Sequence, residues 1–422
     1  MRIHLLAVLV FVATACSAAP PNSVSHPESS AVKQGFSKER LSRINSVMQA
    51  YVDQKKLAGT VTLVARNNEI VHQSAIGLRD IDSKLAMTTD SIFRIYSMTK
   101  PVTAVAALTL WEQGKFHMND PIEKYLPELS GLKVYVSGSG DDMVLEDANR
   151  PIRIIDLFMH TAGFSYGFTD SEVDKLYRAS QAGLLGSDAE RSTVLKEIAK
   201  LPLNHQPGTK WHYGVNTDII GFLVEALTDK KLGEYMQEVI FDPLEMSDTG
   251  FYVKAESAAR FAKLYTADES GITVEMANEP LGDFLNDPAV HNGGGGLTST
   301  IGDFYKFTQM LLNGGQYKGK RVLGRKTVEY FRTNHMPDRL LPFADNSPGE
   351  GYGLAVSVTI DQNDLLFMGS TGDYGWGGAA STYFRIDPKE NLILISMTQF
   401  MPYGYHGYMD DYRNLVYQAL VD

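Results

Sequence analysis

Residues 95 to 110 read IYSMTKPVTAVAALTL, and the proline at 101 leaves little freedom in how they fold. Pro101 has no backbone N–H and is comfortable only in the first turn of a helix, which places a helix start near Ser97. Residues 102–110 are apolar on nearly every side, so that helix must be buried with structure packed all around it. The chain therefore needs a core thick enough to enclose a helix. At 422 residues, 44% of them hydrophobic, it has the material for one large unit or two closely joined subdomains.

Ser97 and Lys100 lie three positions apart on one face of that first turn. An isolated ammonium is expensive to desolvate, so a lysine at the head of a buried helix has to be paired, neutralised or led out to water. The helix N-terminus adds partial positive charge, which stabilises an oxyanion beside Ser97. This is the setting of an activated serine with Lys100 as its base. The plainer reading makes Ser97 a helix cap and Lys100 a side chain that snorkels to solvent. S-x-x-K is too short a pattern to decide between them.

Two later stretches bear on the choice. In PGTKWHYGVNTDIIGFLVEAL, Pro207 and Gly208 make a turn and Asn216 or Thr217 can cap a helix beginning near Asp218, which leaves Tyr213 on the loop before it. A phenol held beside an ammonium can take a proton from a serine and pass it to a leaving group, although a tyrosine on a loop also serves simply as packing. In STGDYGWGGAASTYFRID, Gly375, Gly377 and Gly378 flank Trp376 at the start of a strand. Positions without side chains let a substrate lie along the strand edge, where a backbone N–H can complete an oxyanion hole. The alternative is a hairpin whose glycines satisfy unusual dihedrals, with Trp376 in the core.

The rest of the chain frames these elements. Arg2, the apolar run 5–12 and the small residues Ala13-Thr14-Ala15 read as an export signal over 1–15. Cys16 is the only cysteine, so no internal disulfide exists. It is expected to be the lipid-modified first residue of a lipoprotein on the periplasmic side of a bacterial membrane, with membrane contact only through that anchor. Simple cleavage after Ala15 would instead give a soluble periplasmic or secreted protein. Residues 16–35 are rich in Ser, Pro and Ala and read as a flexible linker, with the folded domain spanning 36–422.

Within that domain, Ser37 and Glu39 open a helix carrying Leu41, Ile44, Val47, Met48 and Tyr51 at helical spacing. Strands over 61–65 and 70–75 flank Asn67-Asn68, a hairpin signature. Strands are expected again over 354–360, 365–368, 381–386 and 392–397, followed by a helix over 412–421. The arrangement predicts an α+β fold: an antiparallel sheet built from both ends of the chain (about 36–100 and 350–422), flanked by helices, with a mainly helical part inserted at about 101–349. A cleft between the two parts is the natural place for a site.

Other classes fare worse. A net charge of −11 lacks the basic footprint that nucleic acid needs. The histidines show no metal-ligand spacing with acidic neighbours, so neither metal nor cofactor is expected. Glycines 293–296 imitate a phosphate loop without the Lys-Ser/Thr that should follow, and read better as a close-packed turn near the cleft. His160 has no G-x-S-x-G serine to serve and reads as structural.

Taken in order, the three stretches resemble the serine β-lactamase-like superfamily: class C β-lactamases, their penicillin-binding relatives and the family VIII carboxylesterases. LFMHTAGF and NGGGGLTSTIGDFYKF resemble two further segments of that family, and the resemblance covers about 36–422. It implies a β-lactamase/DD-peptidase-like fold. It also implies Ser97 as the acylated nucleophile, Lys100 as its activating partner and Tyr213 in acid/base exchange, with an oxyanion hole from the N–H groups of Ser97 and Ala379. Which of Lys100 and Tyr213 takes the proton first stays open.

Two departures bear on the substrate. Where lactamases and peptidases of this type carry a cationic or polar residue before the glycines, this chain has Trp376, ahead of Gly377 and Gly378. A substrate carboxylate thereby loses a charge-assisted contact of roughly 1.5 to 3 kcal/mol. Val215 stands where the family's Tyr-x-Asn has its amide, and Asn216 follows one place late. Both favour an uncharged ester, and Trp-Gly-Gly is the form of the esterase branch. A small-molecule ester, amide or lactam is the expected partner. A β-lactamase, a D-amino-acid-specific peptidase and a cell-envelope binding protein that does not turn over are the rivals. Residues 165–203 and 340–351 are expected to shape the acyl pocket.

Overall fold

The computed structural model describes residues 28–180, 189–271, 273–277, 280–282, 284–344 and 347–422. The expected export signal, Cys16 and the linker as far as residue 27 lie outside the described residues.

Eight antiparallel strands form the central sheet. They are β1 (Gly59–Arg66), β2 (Glu69–Asp80), β3 (Leu85–Ala86), β4 (Glu350–Tyr352), β5 (Ser357–Thr359), β6 (Tyr374–Gly378), β7 (Thr382–Asp387) and β8 (Leu392–Met397), in the spatial order β4-β5-β6-β7-β8-β1-β2-β3. The two ends of the chain meet where β1 pairs with β8, from Val61 opposite Met397 to Arg66 opposite Leu392. Alternation along β8 serves two cores: Ile393, Ile395 and Met397 enter the large core shared with the inserted helices, while Leu392 and Leu394 enter a second core on the other face. The β1–β2 turn is made by Asn67 and Asn68 with φ of 54° and 67°, the two-residue hairpin geometry that asparagine tolerates.

Six helices position the site or cover the sheet: α1 (Glu28–Lys33), α2 (Lys38–Asp53), α3 (Thr99–Glu112), α4 (Asn216–Thr228), α5 (Ile301–Leu312) and α6 (Tyr408–Gln418). Helix α2 starts where Ser37 Oγ accepts the Arg40 N–H, and its Leu41, Ile44 and Met48 join Tyr412 and Val416 of α6 over the second core. Helix α3 is buried from Thr99 through Leu110 and packs against α4. Each of Val102, Val105, Leu108 and Leu110 is in the large core, where burial of such a side chain contributes about 1.5–3 kcal/mol. Between β3 and β4 the chain is mainly helices and loops, with small ribbons such as Lys133–Ser137 paired to Val144–Asp147.

Some boundaries differ from the sequence expectation. The linker expected to run to 35 is already structured from Glu28: Ser30 Oγ donates to the Glu69 carboxylate at 2.8 Å, Ala31 is buried, and Gly35 accepts the Val421 N–H at 2.9 Å. Polar composition hid a short helix that is held by tertiary partners. The strand expected over 365–368 is absent. A 3₁₀ turn, Gln362–Asp364, precedes it, and Leu366 is 94% exposed, so an apolar run lay at the surface with no strand beside it. The closing helix begins at Tyr408, four residues before its expected start, and α4 begins at Asn216 with Val215 as its cap.

Candidate active site

Ser97 stands in a single 3₁₀ turn, Tyr96–Met98, that runs directly into α3. Tyr96 holds φ at 40°, left-handed for a residue with a side chain, a conformation that persists only where the surroundings over-determine it. The surroundings are visible: Ile95 N–H bonds the Leu297 carbonyl at 3.0 Å, and Leu297 N–H bonds Thr99 Oγ1 at 3.0 Å. Ser97 is thus presented at the head of a rigid, buried helix.

Lys100 does not snorkel. It is 1% exposed, and its Nζ donates to the Gly294 carbonyl at 2.7 Å and to Ser97 Oγ at 3.3 Å. Its ammonium also faces the rings of Tyr213 and Tyr166 at 4.5 and 4.9 Å from their centroids. The glycines 293–296 are therefore the close-packed turn expected, and supply a carbonyl to the lysine. A Cβ at Gly294 would come within 2.2 Å of the Tyr166 hydroxyl, so only glycine admits this approach.

Tyr213, 116 positions after the serine, places its hydroxyl 2.8 Å from Ser97 Oγ. Its ring lies 4.9 Å from that of His160, centroid to centroid. His160 is fully buried, accepts at Nδ1 from Asn216 Nδ2 at 3.0 Å, and is held neutral well below the usual histidine range by burial, then by the charges of Lys100 and His212. It supports Tyr213 and does not touch Ser97. The Asn216 amide N–H is spent on His160, and Val215 takes the cavity wall in its place.

Ser97, Lys100, Tyr213, Val215 and Ala379 line one cavity of about 550 Å³. Lys100 is the sole charged side chain on its wall among the described residues. No acceptor among them takes the backbone N–H of Ser97 or of Ala379, so both donors are available to an oxyanion.

The remaining expected residues behave differently. Trp376, Gly377 and Gly378 adjoin this cavity without lining it. The Trp376 indole N–H donates to the Tyr213 hydroxyl at 3.4 Å, with Tyr352 packed edge-on to its ring. Gly377 leaves room for Tyr403, whose ring a Cβ would meet at 2.4 Å. Of the segments expected to shape the pocket, 165–203 contributes Tyr166, Phe168 and Tyr177, with 181–188 outside the described residues. The described residues of the 340–351 loop contribute none: Leu340, Leu341 and Phe343 pack with Met159, Trp211 and Tyr352, with 345–346 outside the described residues. That wall is built instead by Met276, Pro280, Leu281, Met401, Pro402 and Tyr403.

Two residues escaped sequence reasoning. Tyr166 donates its hydroxyl to Asp218 Oδ2 at 2.7 Å, and Asp218 Oδ1 accepts the Gly294 N–H at 2.9 Å. Burial raises the Asp218 carboxyl above its usual range, against the opposing pull of Lys100 and of its hydrogen bonds. The one available signal was a carboxylate five places after Tyr213, in a helix otherwise fit for burial.

Comparison with known proteins shows the family. The profile of the family described as Beta-lactamase matches residues 44–418. Protein Rv1367c of Mycobacterium tuberculosis is 36% identical over 358 residues, covering 83% of this chain and 88% of its own. The lovastatin esterase of Penicillium rubens is 30% identical over 382 residues, covering 84% and 92%. Among solved structures, simvastatin synthase (LovD) from Aspergillus terreus superposes with a TM-score of 0.78 at 22% identity, covering 90% of this chain and 98% of that one. With the fold shared and the match running almost end to end, the chain belongs to the Beta-lactamase family of serine hydrolases.

Proposed function

We propose that this protein is a serine esterase or acyl transferase that forms an acyl-enzyme on Ser97 from an uncharged ester. The observation that carries the reading is the placement of Ser97 Oγ 2.8 Å from the Tyr213 hydroxyl and 3.3 Å from Lys100 Nζ, within a cavity where Lys100 is the sole charged side chain among the described lining residues. Ser97 Oγ attacks the ester carbonyl while its proton passes to the Tyr213–Lys100 pair. The N–H groups of Ser97 and Ala379 receive the charge that develops on the carbonyl oxygen. Collapse of the tetrahedral intermediate expels the alcohol, which takes the proton back from Tyr213. Water or a second alcohol then enters, gives up its proton to the same pair and releases the acyl group.

Several features support an ester over a lactam or D-peptide. Among the described residues the only cation on the cavity wall is Lys100, whose Nζ is already held by the Gly294 carbonyl, and the Asn216 amide N–H is turned toward His160. The relative named a lovastatin esterase points the same way. The chain is further proposed to act outside the cytoplasm, exported by residues 1–15 and anchored through Cys16. Labelled palmitate incorporated by the full chain and lost in Cys16→Ala would bear this out, while equal labelling of the two would overturn the anchor.

The activity is tested by assaying the purified domain and its Ser97→Ala variant on a short-chain p-nitrophenyl ester and on a chromogenic cephalosporin. Ester turnover that vanishes with Ser97, with an acyl adduct on that serine by mass spectrometry, is the expected result. Cephalosporin turnover exceeding ester turnover overturns the substrate class. Absence of any adduct with either substrate favours a cleft that binds without turning over.

A further inference from the structure

We propose that Asp218 is a positioning residue for Lys100, acting through Tyr166 and the Gly294 peptide groups to hold the ammonium beside Ser97. The inference rests on the reading of Lys100 as partner of a nucleophilic Ser97. Asp218 touches neither the serine nor the cavity, yet both routes from it end at Lys100. By one, the Tyr166 hydroxyl is bonded to Oδ2 while the face of the same ring lies 4.9 Å from Nζ. By the other, Gly294 gives its N–H to Oδ1 and its carbonyl to Nζ at 2.7 Å.

Both charged members of the cluster are buried. Asp218 and Lys100 are 0% and 1% exposed, and a Cβ on Gly294 would strike both Tyr166 and Asp218. A buried carboxylate without a cation is costly, and so is a buried ammonium without an anion. Asp218 is the third residue of α4, where the helix N-terminus also favours its charge. The groups facing the pair are Tyr166, Tyr213, Ser97 and the neutral His160. None is an anion that could replace Asp218. The surrounding bonds fix the direction in which Nζ points, and the carboxylate supplies the charge that a serine–lysine pair in a dry site lacks.

The test reads Ser97 directly, with no need of the natural substrate: the pH dependence of the rate at which a p-nitrophenyl phosphonate labels Ser97 in the full chain. Asp218→Asn keeps the shape and loses the charge. Tyr166→Phe keeps the ring over Lys100 and loses the hydroxyl, so it carries the test if Asp218→Asn does not fold. Labelling is expected to slow about tenfold or more in either variant; in Asp218→Asn, which alone removes the charge, the rising limb should also move toward acid, whereas Tyr166→Phe keeps the carboxylate and should leave the limb in place. The double variant should be no slower than the worse single one. Asp218→Glu should recover part of the rate. Slower labelling with an unmoved limb in a folded Asp218→Asn would assign Asp218 to folding alone, and Tyr166→Phe labelled at the wild-type rate would break the route through the ring; either overturns the proposal. A wild-type chain that the phosphonate does not label at all would overturn the nucleophile reading itself, a distinguishable failure.

Discussion

The Trp376 indole N–H points at the Tyr213 hydroxyl oxygen from 3.4 Å, and that oxygen is 2.8 Å from Ser97 Oγ. At the position where the resemblance implies a cationic or polar residue in lactamases, this chain has an indole bonded to its own tyrosine. Trp376→Phe, which keeps an aromatic ring and loses the donor, is expected to lower kcat for a p-nitrophenyl ester by roughly tenfold with little change in KM, the loss of one hydrogen bond of about 1–1.5 kcal/mol. Trp376→Lys should lower ester turnover and tighten binding of a carboxylate-bearing cephalosporin by about 10- to 100-fold. Steady-state kinetics on the two substrates check both. Unchanged cephalosporin binding would mean that charge at this position does not set the substrate class.

Lys100 is fitted as a compact cation, its Nζ held by the Gly294 carbonyl and packed against the neighbouring rings of Tyr166 and Tyr213. Lys100→Arg should therefore be no better than Lys100→Met, both falling by about 10²- to 10⁴-fold in kcat while remaining folded by circular dichroism. An arginine variant with near-native kcat would show that only charge is needed there.

Gly377 and Tyr403 occupy complementary space, because a Cβ at 377 would sit 2.4 Å from the Tyr403 ring. Gly377→Ala is expected to displace Tyr403, which lines the cavity, and to change the preference among acyl chain lengths. Tyr403→Ala should relieve the clash, so the double variant should resemble Tyr403→Ala alone, with a coupling of about 1–2 kcal/mol in a double-mutant cycle. Additive effects would show that the two do not meet in solution. Tyr403→Ala by itself should favour longer acyl chains in a p-nitrophenyl ester series.

Stability should fall on the acid side of neutrality. His160, His205, His212, His291 and His335 all lie below the ordinary histidine value, with burial the first cause in each, and His205 is pushed down to about 4. Between about pH 6.5 and 4 the unfolded chain binds protons that the folded one refuses, so stability is present above that window and is lost as pH falls through it. Each such proton removes about 1.4 kcal/mol per pH unit. Urea midpoints measured from pH 8 to 4.5 should drop steadily below 6.5, and His205→Asn should flatten the curve. A flat wild-type profile would contradict the burial of these imidazoles.

What the sequence by itself determined is local. Pro101 and the apolar run behind it dictated the head of α3 because a missing N–H and the period of a helix act within a single turn. The same holds for the Asn67-Asn68 hairpin and for the face shared by Ser97 and Lys100. The carry-over to Tyr213 and Ala379 needed a family resemblance, because nothing local tells a tyrosine 116 positions away that it will meet a serine. Tertiary structure alone decided the rest. It set Gly294 against Lys100 and Asp218 behind Gly294, turned Trp376 onto Tyr213, and assigned one cavity wall to 401–403 rather than to the described part of 340–351. Those choices depend on how whole elements pack, and packing joins residues whose own neighbours in the chain carry no sign of it.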